Sequence, residues 1–68
     1  MKIIHVKYNG YFESMNEALE ATIICKSKDE KWIIAKIITK GNSHYNSEIV
    51  FFNKRQYRKD SLPYYTLE

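Results

Sequence analysis

The chain has 68 residues and a mass of 8.2 kDa, which leaves room for one small domain, since domains usually run to about 100–150 residues. Its composition, 44% hydrophobic and 28% charged with two glycines and one proline, excludes collagen-like, low-complexity and strongly disordered chains. The formal net charge of +3 is unevenly distributed, because residues 31–68 carry seven basic and three acidic side chains. Such asymmetry is typical of a surface that meets an anionic partner.

The single cysteine, Cys25, excludes an internal disulfide, a cross-link that small secreted domains usually need. We therefore expect an intracellular, cytoplasmic protein. The start of the chain lacks the apolar run of a signal peptide. The longest apolar runs, at residues 32–35 and 49–52, are four residues each, whereas a transmembrane helix needs about twenty. The sequence therefore predicts no membrane partner.

The first element in the chain is a predicted strand at Ile3–Tyr8, where apolar and polar residues alternate. The pair Asn9-Gly10 follows and suits a two-residue type I′ turn, in which both central residues need positive φ. The sequence therefore predicts a tight hairpin, with a returning strand that begins at Tyr11.

A short helix is predicted from Met15. Ser14 and Glu17 have the spacing of a capping box, in which each side chain bonds the other's backbone N–H. The residues that follow are good helix formers. A continuous strand through residues 15–21 is the competing interpretation.

Further strands are predicted at residues 22–25, 32–40 and 44–53. In the longest one, alternation assigns Ile33, Ala35, Ile37 and Thr39 to the core and leaves a second face that mixes isoleucine with lysine. Proline disfavours a long strand near the C-terminus. The predicted fold class is α+β: a small three- to four-stranded, mainly antiparallel sheet with one short helix.

We expect one domain over residues 1–66. Residues 67–68 match the scar that a cloning site leaves before an affinity tag, in which case the natural chain ends near Thr66.

Catalysis and metal binding find no support in the sequence. His5, Cys25 and His44 are too far apart in the chain for paired zinc ligands. Cys25 follows two isoleucines, a setting in which a free cysteine behaves as a small hydrophobe. Two isolated glycines do not form a phosphate-binding loop. We expect a protein that is not an enzyme and uses no metal or cofactor.

Basic and aromatic residues interleave in the last third of the chain, and 15% of all residues are aromatic. Proteins commonly hold single-stranded nucleic acid this way, with cations on phosphates and bases stacked on rings. One functional prediction is therefore a nucleic-acid-binding module. Its candidate residues are Lys36, Lys40, Lys54, Arg55, Tyr57, Arg58 and Lys59.

Protein binding is the favoured prediction. Trp32, Ile34 and Ile38 share the mixed face of the longest strand, and an uncovered apolar face needs a partner. Aromatic and arginine side chains are also the residues that interface hot spots favour. We expect a protein-interaction module, or a regulator or inhibitor of a larger complex, of the kind that phages or mobile elements encode. A second copy of the chain, forming a homodimer, would serve equally as partner.

Overall fold

The computed structural model describes residues 2–56 and 64–68, and it is built almost entirely of strands. One five-stranded sheet has the order β4-β3-β2-β1-β5, and every neighbouring pair is antiparallel. The strands are β1 (Ile3–Tyr8), β2 (Glu17–Lys26), β3 (Trp32–Ile37), β4 (Glu48–Phe52) and β5 (Tyr65–Leu67).

The sheet curls until its two outer strands meet. Arg55 forms isolated bridges to Phe52 at the end of β4 and to Thr66 in β5. The Leu67 N–H donates to the Lys54 carbonyl at 2.9 Å, which adds a further link across the gap. The result is a nearly closed, barrel-like antiparallel sheet.

The predicted α+β class with one short helix is wrong. Within the described residues the only helical element is the three-residue 3-10 turn Glu13–Met15, and Glu17 already begins β2. Leu19 and Ala21 are buried, and Val6 stands directly opposite Leu19 in β1. Burial of these alternate residues outweighs the small helix preference of residues 17–21, so the strand interpretation is the correct one.

The predicted type I′ turn at Asn9-Gly10 is also wrong, since neither residue has a positive φ. The chain instead makes a longer loop over residues 9–16, in which the Gly10 N–H donates to Asn16 Oδ1 at 3.0 Å. A Cβ on Gly10 would collide with the Cβ of Met15. The glycine is needed for this close approach and not for turn geometry.

The core lies inside the curved sheet. The predicted inward face of β3 is confirmed for Ile33, Ala35 and Ile37, which are all buried, but not for Thr39, which follows the strand and is half-buried. The strand ends at Ile37, three residues earlier than predicted. Among the described residues, the buried hydrophobic side chains are Val6, Leu19, Ala21, Ile33, Ala35, Ile37, Ile49, Phe51 and Tyr65.

The last strand, β5, is as short as the proline before it led us to expect, with three residues. Leu67 packs against the core. Across the described residues, no helix has the length and apolar character needed to span a bilayer.

Candidate functional site

The outer face of β3 and β4 carries exposed apolar side chains. Because side chains alternate along a strand, burial of Ile33 and Phe51 turns their neighbours outward. Trp32 stands opposite Phe52, and Ile34 stands opposite Val50. We call these four outward residues, Trp32, Ile34, Val50 and Phe52, the apolar patch.

Exposure within the apolar patch is high for apolar side chains. Trp32 is 40% exposed, Val50 55% and Phe52 48%, while Ile34 is half-buried between them. Cross-strand neighbours lie about 4.5–5.5 Å apart at Cβ, so the four side chains form one continuous surface.

A groove lies on the same outer face, between β2, β3 and the loop that follows β3. The β2–β3 register shifts between Ile23 and Cys25, which leaves Ile24 without a partner in the ladder. Such a bulge redirects side chains, and Ile24 is exposed. The groove has a volume of about 710 Å³. Its lining residues, together called the lysine groove, are Thr22, Ile23, Ile24, Lys36, Ile38, Lys40, Tyr45 and Asn46.

Hydrogen bonds fix the loop wall of the lysine groove. The Ile38 N–H donates to the Glu20 carbonyl at 2.9 Å, and the Glu20 N–H donates to Thr39 Oγ1 at 2.7 Å. Further along the loop, the Asn46 N–H donates to the Ile37 carbonyl at 2.9 Å. The wall is therefore tied to two strands before any ligand arrives.

Neither lysine of the groove forms an ion pair with a described residue. Between the residues of 2–56 and 64–68, the only ion pair within 4.0 Å joins Lys26 to Glu30, in the turn between β2 and β3. Glu48 stands opposite Lys36 in the β3–β4 ladder without forming such a pair. Lys36 and Lys40 thus give the groove two positive charges that form no ion pair within 4.0 Å in the described part of the chain.

The structure separates the residues proposed to bind nucleic acid. Lys36 and Lys40 line the lysine groove, whereas Lys54 and Arg55 lie in the turn after β4, at the opposite end of the β3–β4 ladder. The remaining candidates, Tyr57, Arg58 and Lys59, lie outside the described residues. Nucleic-acid binding stays a prediction.

Two of the three predicted protein-binding residues lie on the outer side of β3, and the third, Ile38, directly follows the strand. Trp32 and Ile34 belong to the apolar patch, and Ile38 lines the lysine groove. Sequence reasoning missed Val50 as a partner for Ile34 and left open which phenylalanine of the β4 run faces inward. Only the β3–β4 register settles both points.

A cluster of aromatic and histidine side chains joins the loop after β3 to β5. The Tyr65 hydroxyl and His44 Nδ1 are 2.5 Å apart, and the Tyr8 ring centroid lies 4.5 Å from that of His44. Burial is the main cause that raises the pKa of Tyr65, and the nearby Tyr8 is a second, smaller cause. His44 is half-buried and hydrogen-bonded to Tyr65. The two residues are 21 positions apart in the chain, so the sequence did not indicate that they are in contact.

No group of three or more histidine, cysteine or acidic side chains is arranged to hold a metal in the part of the chain that the structure describes. Comparison with protein-family models, curated proteins and solved structures finds no match to this chain. Functional inference therefore rests on the geometry of the two outer-face sites.

Proposed function

We propose that this protein is a non-enzymatic interaction module whose protein partner docks on the apolar patch. One observation carries the proposal: two directly opposed cross-strand pairs place four apolar side chains side by side on the outer face. Exposed apolar residues scattered singly are ordinary on soluble proteins, whereas a contiguous group is typical of an interaction surface.

The residue types in the patch suit an interface centre. Tryptophan is among the residues most enriched at binding hot spots, because a large rigid ring buries much apolar area at little entropic cost. Trp32 and Phe52 supply two such rings, and Val50 and Ile34 supply the stiff branched side chains beside them. The patch is held on paired strands, so little ordering entropy opposes docking.

Val50→Lys is expected to weaken partner binding by about tenfold or more, the loss of about 1.4 kcal/mol or more that a central interface residue typically shows. Ile3→Lys is the matched control, because Ile3 is also a branched strand residue and is likewise 55% exposed. Both variants add one positive charge and should unfold at the wild-type urea concentration, since neither side chain belongs to the core.

The test uses three measurements. Wild-type protein immobilised on a surface first captures partners from a lysate of the source cells, and mass spectrometry identifies them. Titration calorimetry with the purified partner then compares wild type, Val50→Lys and Ile3→Lys. Sedimentation velocity on wild type at several concentrations shows whether the partner is a second copy of this chain. Equal affinity of Val50→Lys and Ile3→Lys for the partner would contradict the proposal.

A further inference from the structure

We infer that the lysine groove binds a peptide segment of the partner in which carboxylate side chains flank an aliphatic one. This inference rests on the proposed function, since it assumes that the partner is a protein. The groove would be a second place, beside the apolar patch, where the partner contacts this protein, and it would recognise carboxylates as well as an aliphatic side chain.

The floor of the lysine groove is aliphatic. Ile23, Ile24 and Ile38 line it together; Ile23 also packs against the core, and Ile24 is the residue that the β2 bulge leaves unpaired in the ladder. The volume of about 710 Å³ falls within the range of about 300–1,000 Å³ that is typical of ligand sites. Such a recess takes apolar side chains, and an exposed Ile24 gains from being covered.

The rim of the groove is basic. Lys36 and Lys40 are its only charged lining residues, and neither has a carboxylate within 4.0 Å among residues 2–56 and 64–68. Lysine stems lie along apolar surface while their ammonium groups stay in water, so both can cover the floor and still meet a charge. Acidic groups next to the aliphatic anchor would complement this rim.

The groove favours peptide over single-stranded nucleic acid. Bases are held mainly by stacking on aromatic faces, and among the described residues Tyr45 is the only aromatic one that lines the groove. The isoleucine floor offers no such face. Asn46 adds an amide that suits the backbone of a peptide.

The groove is also preorganised. The bonds from Ile38 and Asn46 that fix its loop wall exist in the free protein. A preformed wall lowers the entropy lost on binding, so a short segment can bind with useful affinity.

The test is selection of random twelve-residue peptides, displayed on phage, against the whole chain. Selected peptides should share an aliphatic residue flanked by aspartate or glutamate. A fluorescein-labelled selected peptide is then titrated into wild type and into the double variant Lys36→Gln/Lys40→Gln. The double variant should bind about tenfold more weakly, as expected when two charge contacts are lost.

The matched control is Lys28→Gln/Lys31→Gln, which removes the same charge from two exposed lysines of the β2–β3 turn. It should bind the labelled peptide within about twofold of wild type. Equal weakening in both double variants would overturn the inference, because the attraction would then be general electrostatics. Selected peptides without acidic residues, or no selection at all, would also overturn it.

A labelled oligothymidylate in the same titration separates the two anionic ligands. Tighter binding of the oligonucleotide than of the peptide, dependent on Lys36 and Lys40, would assign the groove to nucleic acid and overturn the inference. Failure here is distinguishable from failure of the proposed function. The effect of Val50→Lys is measured as affinity for the captured partner, whereas the effect of the lysine variants is measured as affinity for the labelled peptide.

Discussion

Phe51→Ala is expected to leave most of the chain unfolded at 25 °C. Phe51 has no exposed surface and is one of the largest fully buried side chains. Replacing a buried phenylalanine by alanine costs about 3–5 kcal/mol, because the cavity left behind only partly collapses. A single core below about 70–80 residues rarely supplies more than about 3–5 kcal/mol, so the loss is comparable to the whole stability. Urea unfolding followed by far-UV circular dichroism measures it.

Phe12→Ala is the matched control for this loss. Phe12 is 62% exposed and contacts Tyr11 edge-on outside the core, so its removal should cost less than about 1 kcal/mol. Ile37→Val, a milder core change, should cost about 0.5–1.5 kcal/mol and keep the protein folded for measurement. A wild-type unfolding midpoint for Phe51→Ala would show that Phe51 lies outside the core.

Gly10→Ala is expected to destabilise the protein by about 1–3 kcal/mol, the usual cost of forcing extra volume into a packed position. The added Cβ would meet the Met15 side chain, with the Met15 carbonyl carbon 3.0 Å away, so the loop of residues 9–16 must shift. Chemical denaturation gives the loss directly.

Gly41 provides the comparison, since its φ is +79° and nothing lies within 4 Å of an added Cβ. There the cost of alanine is conformational, about 1 kcal/mol, and asparagine should recover part of it because asparagine tolerates positive φ. At position 10 asparagine should be as damaging as alanine. Recovery of stability by Gly10→Asn would instead support the tight turn that the sequence predicts.

Strand positions were predictable where apolar and polar residues alternate in a way that fits a strand and not a helix. In β1 and β3 apolar residues recur at every second position, and the inward face of β3 followed directly from that pattern. The helix prediction for residues 15–21 failed because Ala18, Leu19 and Ala21 are good helix formers, so local preference pointed away from the strand. Their pairing with β1 decides between helix and strand. That pairing depends on the conformation of the loop of residues 9–16, which the sequence pattern did not predict.

The outer-face sites were predictable only in part, for the same reason. Trp32 and Ile34 follow from the period of a single strand. Val50 joins them only through the β3–β4 register, and Ile24 reaches the lysine groove only through a bulge. Registers and bulges depend on several strands at once, so periodicity within one segment cannot reveal them.

The most direct test of the account is an amide and methyl chemical-shift map of the labelled protein, recorded as the captured partner is added. The account predicts that the largest shifts fall on the outer face of β3 and β4, at the Trp32 indole, Ile34 and Val50, while the buried face changes little. Shifts centred on Lys54 and Arg55, with the apolar patch unchanged, would contradict it.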